Sequence, residues 1–254
     1  MVHKRVYNSN RIEKSKRTWY NITVKAAGAV VFSLIILTSV MIKKEPMESV
    51  MTVAKETDMP QQIIIDAGHG GFDGGAVSSD GTVEKDINLQ IASRTADILR
   101  IYGYDVVMTR EEDVSTESDS SGKIASRKKE DMVNRLSMIN KNSDAICVSI
   151  HLNKFTTSVA NGAQIFYGVK DERSYDLAVS IQESIKNNLQ PTNERKVKKG
   201  TKSTYLLYNS DVPMVIAECG FISNPDELEQ LKKEEYQTKM ALCICAGIID
   251  YFSR

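Results

Sequence analysis

The sequence predicts a single α/β domain on a mostly parallel, twisted sheet covered by helices on both faces. Three observations predict it. Strand patterns alternate with helical ones from residue 61 to the end of the chain, the order that produces parallel strands joined by covering helices. Ala145–Ile150 is nearly all apolar, as a strand buried on both faces must be. Apart from His3, the histidines His69 and His151 follow strand patterns, and ligands in open α/β sheets collect beyond the carboxyl ends of strands. The active site is therefore expected at that edge.

Taken in order, Gln62–Asp66 reads as the first strand. Asp86 reads as the N-cap of a helix with an apolar stripe of Ile87, Ile91, Ile98 and Tyr102, stopped by Gly103. Tyr104–Thr109 is the next strand. Glu111–Ser126 is rich in Ser, Asp and Glu, a composition that fits a solvated loop better than a lid over a cleft. Met132, Leu136 and Ile139 mark a second helix. After Ala145–Ile150 come a strand at Gly162–Tyr167, a helix at Leu177–Leu189, and strands at Thr204–Tyr208 and Pro213–Ala217. Asn224-Pro225 opens a further helix, and the last spans Glu235 to Phe252, with Met240, Cys243 and Gly247 on a core-facing side.

The chain has 254 residues, with 33 Lys plus Arg against 33 Asp plus Glu. That balance gives no long-range field to steer nucleic acid, so recognition of a charged substrate must be local. The N-terminus is the exception. Lys4, Arg5, Arg11, Lys14, Lys16, Arg17 and Lys25 precede an uncharged apolar run, Ala26–Ile42, which would be about 25 Å long as a helix. Residues 1–25 read as a cytoplasmic basic segment, 26–42 as a transmembrane signal anchor, 43–60 as a linker and 61–254 as the catalytic domain. A cleaved signal peptide is the alternative; either way the domain lies outside the cytoplasm. Cys147, Cys219, Cys243 and Cys245 sit in apolar patterns and read as buried thiols rather than disulfides.

Two His and one Glu, with a fourth position left for water, form one of the usual hydrolytic zinc sites. His69, Glu84 and His151 are the ligand candidates for one zinc ion per chain. Glu218, free of the metal, is the acid/base candidate. Asp66, Asp73 and Asn153 are candidates for orienting the imidazoles, although Asp66 also suits a role in the glycine turn. Spacing alone makes this a weak signal, since the ligands lack the i,i+4 arrangement of a zincin helix.

The segments Asp-Ala-Gly-His-Gly-Gly-Phe-Asp-Gly-Gly at 66–75, Glu-Lys-Asp-Ile-Asn-Leu at 84–89, Ser-Ile-His-Leu-Asn at 149–153 and Glu-Cys-Gly-Phe-Ile-Ser-Asn-Pro at 218–225 together resemble the zinc-dependent N-acetylmuramoyl-L-alanine amidases. The resemblance spans 61–254. It implies zinc bound by His69, Glu84 and His151, catalysis by Glu218, and cleavage of the amide between muramic acid and the first L-alanine of the stem peptide. Arg110 and Arg135 fall where such enzymes tend to have arginine. Ala67 replaces a proline common in the family, a change in turn stiffness rather than chemistry. Gly-Ala-Gln-Ile-Phe-Tyr at 162–167, behind an N-terminal anchor, is similar to the sporulation branch. That branch implies a spore-cortex substrate and a peptidoglycan deacetylase as functional partner in forming muramic-δ-lactam; the sequence leaves open the need for an accessory activator protein.

Other classes fit less well. The 68–75 turn lacks the Gly-Lys-Ser/Thr of a P-loop, and no Gly-x-Ser-x-Gly elbow is present. Two alternatives on the same scaffold stay open: a noncatalytic peptidoglycan-binding or regulatory module, and a zinc peptidase acting within the stem peptide.

Overall fold

The computed structural model describes residues 62–118 and 121–254; the basic segment, anchor and linker expected at 1–60 lie outside them. The elements run β1 (Gln62–Ala67), α1 (Glu84–Ile101), β2 (Val106–Met108), α2 (Ile124–Ile139), β3 (Ala145–Asn153), β4 (Gln164–Tyr167), α3 (Arg173–Asn188), β5 (Lys198–Lys199), α4 (Tyr205–Asn209), β6 (Met214–Phe221), α5 (Pro225–Leu231) and α6 (Glu234–Phe252). The strands form one sheet in the order β2-β1-β3-β6-β4-β5. β2, β1, β3 and β6 are mutually parallel. β4 runs antiparallel to β6, and β5 follows β4.

The two-residue period of each strand divides its apolar side chains between two cores. Ile63, Ile65 and Ala67 of β1, with Val148 and Ile150 of β3, pack under α1, α3 and α6 through Ile91, Leu99, Ile181 and Ile244. Ile64, Cys147 and Met214 face the other way, against Ile139 of α2 and Leu206 and Leu207 of α4. Truncating a fully buried isoleucine in either core costs about 2–5 kcal/mol. α6 packs closely on α3 at Gly247, where an added Cβ would meet the Ile181 Cα at 2.5 Å. The core-facing reading of this helix holds, and all four cysteines are free and buried.

Several local expectations differ. Asp86 is not the N-cap of α1; the cap is Val83, and the chain loops over the helix end so that Ala76 O and Gly74 O accept from Glu84 N and Lys85 N. Neighbouring backbone thus satisfies donors that a capping side chain would otherwise serve. Tyr102 is 66% exposed, and Leu99 completes the buried stripe instead. The strand expected at Thr204–Tyr208 is instead the helix α4, Tyr205–Asn209, with Thr204 as its N-cap. The adjacent Leu206 and Leu207 both enter the same core, which a strand's alternation forbids. β2 is shorter than Tyr104–Thr109. β3 and β6 run past Ile150 and Ala217, so His151 and Glu218 lie within strands, paired in register, rather than at their ends.

Glu111–Ser126 is tied to α2 and to the first glycine turn. Thr116 N and Oγ1 donate to Asp131 Oδ1, Ser118 donates to Glu130, and Asp113 accepts from Gly71 N. None of its described residues lines the cleft discussed below.

Candidate active site

The site forms where β1 stops while β3, and β6 beyond it, continue. β1 pairs with β3 as far as Ala67 and Ile150, and Gly68 N still donates to Ile150 O at 3.0 Å. His69 then turns the chain away with φ +62°, the one positive-φ non-glycine among the described residues. A ladder partner is lost on each strand, and side chains replace both. Leu152 N donates to Glu84 Oε1 at 3.1 Å, and Gly68 O accepts from Asn88 Nδ2 and Arg110 Nη2 at 3.2 and 3.0 Å.

Two buried arginines cage this turn. Arg110 Nε and Arg135 Nη1 both donate to Ala67 O, at 2.9 and 2.8 Å, and Arg135 Nη2 donates to His69 O. Asp66 anchors the cage from within β1. Its carboxylate accepts from Arg135 at 3.0 Å, from Thr109 Oγ1 at 2.6 Å and from Ser149 Oγ. Burial alone would raise the Asp66 carboxyl, but Arg135, assisted by Ser149 and Thr109, outweighs it and lowers it. Asp66, Arg110 and Arg135 thus hold the turn, and among the described residues none of them hydrogen-bonds to an imidazole ring.

Asp73 does orient an imidazole. Its Oδ2 lies 2.9 Å from His69 Nδ1, which leaves Nε2 facing Glu84, and Lys128 Nζ lies 2.7 Å from its other oxygen. No hydrogen bond joins the Asn153 side chain to either histidine among the described residues; its backbone O accepts from Ile222 N. Glu84 opens α1 and is only 3% exposed. Its Oε2 accepts from Ala76 N at 2.8 Å, and its Oε1 lies 3.4 Å from His69 Nε2 and 3.1 Å from His151 Nδ1. Gly68 and Gly75 make room for this convergence. A Cβ on Gly68 would stand 2.3 Å from the His151 ring, and one on Gly75 would stand 2.6 Å from both Glu84 Oε2 and His69 Cδ2.

His69, Glu84 and His151 each offer one ligand atom, and those atoms all lie within 4.8 Å of one another. Tetrahedral zinc with bonds of about 2.0–2.1 Å has ligand–ligand edges of roughly 3.3 Å. The 3.4 and 3.1 Å separations around Glu84 match such edges, so the donor set fits zinc. Burial would lower the His69 imidazole, but hydrogen bonds to Asp73 and Glu84 raise it to about 9. Burial would likewise raise Glu84, but His151 and His69 hold it well below the usual carboxylate range.

Glu218, opposite His151 on β6, completes the constellation. Its Oε2 is buried with no hydrogen-bond partner among the described residues. Burial pushes its carboxyl up to about 7, with Glu84 adding repulsion and His151 and His69 opposing. A cleft of about 270 Å³ reaches His69, His151 and Glu218 between α2, through Lys128 and Met132, and the segment Ser203–Leu206. Sequence reading missed Asn88, Lys128 and this second wall. Asn88 lies one turn after Glu84, a spacing that offers a signal; the wall carries none, because only folding brings it to the site.

Fold and site place the chain in a known family of hydrolases. Residues 63–250 match the family model described as N-acetylmuramoyl-L-alanine amidase, and the chain belongs to that family. It is 39% identical over 191 residues to the germination-specific N-acetylmuramoyl-L-alanine amidase of Bacillus subtilis (strain 168), covering 75% of this chain and 79% of that one. It is also similar to the CwlD amidase from Clostridioides difficile, solved in complex with the GerS lipoprotein. That match has 40% identity and a TM-score of 0.72, over 76% of this chain and 98% of the other. A second amidase structure, from Clostridium difficile 630, matches at 30% identity with a TM-score of 0.66, over 76% and 96% of the two chains.

Proposed function

We propose that this chain is a zinc-dependent amidase that hydrolyses the bond between the lactyl group of N-acetylmuramic acid and L-alanine in spore-cortex peptidoglycan, the first step toward muramic-δ-lactam. The carrying observation is the His69, Glu84 and His151 trio with an unpartnered Glu218 oxygen beside it. The likeness to a germination-specific amidase supports the cortex assignment. The basic segment and apolar run before residue 43 support tethering at the outer face of the cytoplasmic membrane, by analogy of sequence pattern alone. Among the described residues no helix is long and apolar enough to cross a membrane. A peptidoglycan deacetylase acting on the product, and an accessory lipoprotein of the kind crystallised with CwlD, are the partners this reading implies.

His69, Glu84 and His151 would hold the zinc. When bound, zinc acidifies water and polarises the substrate carbonyl. Asp73 fixes His69 through Nδ1, so that ring keeps Nε2 for the metal. Glu218 takes the proton of the attacking water on a carboxylate oxygen and returns it to the departing L-alanine nitrogen. Its value of about 7 suits both transfers at neutral pH. The cage on the 67–69 carbonyls keeps the His69 turn from relaxing while the substrate changes shape.

Chelation is expected to abolish release of stem peptides from purified peptidoglycan, and zinc to restore it; activity that survives chelation defeats the metal reading. Glu218→Gln should keep its zinc and lose roughly 10²–10⁴-fold in kcat, and an undiminished kcat rules out the acid/base role. Mass spectrometry separates the alternatives: free lactyl groups mark an amidase, shortened peptides a peptidase, and retention on the wall with no product a binding module.

A further inference from the structure

We infer that the cleft-facing side of the β4–β5 edge is a subsite for the acidic part of the substrate: Lys198 and Lys202, flanked by Arg195 and Lys196, bind free carboxylates two or three residues beyond the scissile amide. This deepens the amidase reading and rests on it. From Arg195 to Ser210 the chain carries five basic residues, Arg195, Lys196, Lys198, Lys199 and Lys202, and no Asp or Glu. Some exposed lysines elsewhere are paired, as in Lys170–Asp211 and Lys232–Asp80. Among the described residues, Lys196, Lys198, Lys199 and Lys202 are exposed and make no ion pair.

Register aims this charge at the site. Directly paired residues on neighbouring strands project to the same face of a sheet. Glu218 pairs with Gln164, and Ile216 pairs with Phe166, which in turn pairs with Lys198. Ile216 and Glu218 line the cleft, so Lys198 shares its face, and its Nζ lies 5.6 Å from the centre of the Phe166 ring. Arg195 Nη1 donates to Gln164 Oε1 at 3.1 Å, one position outward from Glu218, and Gln164 Nε2 donates to Lys196 O. Lys202 immediately precedes Ser203, which lines the cleft wall. Two strand spacings separate β5 from β6, about 10 Å. Two to three extended residues span a similar distance, at roughly 3.3–3.6 Å each. A peptide leaving the zinc site across β6 therefore brings a carboxylate at its second or third position onto this strip. In a chain without net charge, such a patch is the local recognition that its composition requires.

Lysines also guard exposed sheet edges against aggregation. β5 has two residues, however, and Arg195, Lys196 and Lys202 lie outside it.

The test compares the full zinc-loaded chain with Lys198→Gln/Lys202→Gln on two disaccharide tetrapeptides. One has free side-branch carboxylates on residues two and three, and the other has both amidated. The double variant should raise KM for the carboxylate substrate by roughly 5- to 20-fold, leave kcat within about twofold, and leave KM for the amidated substrate unchanged. The KM of the unaltered chain should also rise with salt more steeply than that of the variant. Equal KM shifts on both substrates, or no shift on either, would overturn the subsite. So would a defect confined to walls bearing anionic phosphate polymers. If the unaltered chain releases no peptide from either substrate, the amidase reading itself fails, whatever the variant does.

Discussion

The two halves of the sheet solve opposite problems. Around β1, β3 and β6 the polar groups are buried and tied to one another: Arg135 is 2% exposed and Asp66 fully buried, 3.0 Å apart, with the glycine turn folded over them. At β4 and β5 the sheet reverses direction, the strands are short, and Lys198 and Lys199 face solvent with no ion pair among the described residues. The difference teaches where precision is needed. Metal ligands must be held within a fraction of an ångström, whereas a charged tail tolerates a loose grip.

Forcing a side chain into the rigid half should have the largest effect. Gly68→Ala must displace the His151 ring, because its Cβ would stand 2.3 Å from it; activity is expected to fall more than about 10²-fold, with zinc content reduced in parallel. Full activity with full zinc would mean the ring has a second productive position. Next comes Asp66→Asn, which strips Arg135 of its buried counter-charge. Urea unfolding should report a loss of about 3–5 kcal/mol, and a loss below 1 would mean the cage carbonyls alone satisfy the guanidinium.

The same pair sets an acid limit. Burial pushes the Asp66 carboxyl up, yet Arg135 brings it below its unfolded value, so its contribution is fully present above about pH 4 and disappears as pH falls through the folded value. Thermal melts of the parent should therefore lose stability below that pH more steeply than melts of Asp66→Asn; parallel curves would locate the acid limit elsewhere. The smallest effect belongs to the open half. Lys170→Ala breaks an ion pair at 2.7 Å, shorter than that of Asp66 and Arg135, but both partners are exposed, and the change should stay within about 1 kcal/mol. A larger loss would show that distance, rather than burial, governs these pairs.

Much of this organisation was legible in the residues. The Ile63–Ile65 run, the Asn224-Pro225 helix start and the φ-permissive Gly103 carry local signals that folding leaves unchanged, because turns, caps and buried strands obey short-range rules. The four residues of the candidate site were named as a set, and the structure brings them together, although spacing alone could not single them out. Roles assigned to Asp66, Arg110 and Arg135 needed coordinates. A carboxylate beside a glycine turn reads equally well as an imidazole's partner or a guanidinium's, and only its neighbours from β2, α2 and β3 decide. The missed Tyr205–Asn209 helix has the same origin: five residues are too few for periodicity, and the core that takes Leu206 and Leu207 was not visible.

By itself, the sequence determined an alternating α/β chain and its buried thiols, and it offered His69, Glu84, His151 and Glu218 as candidates for metal binding and proton transfer. Tertiary structure alone decided that β3 would run on past the end of β1, that Leu152 N and Gly68 O would be released to side chains, and that a basic edge would lie beside the cleft. The physical reason is that hydrophobic period and turn chemistry are encoded within a few residues. Which unpaired donor meets which acceptor depends on segments tens of residues apart, and the chain settles that only when the sheet closes its register.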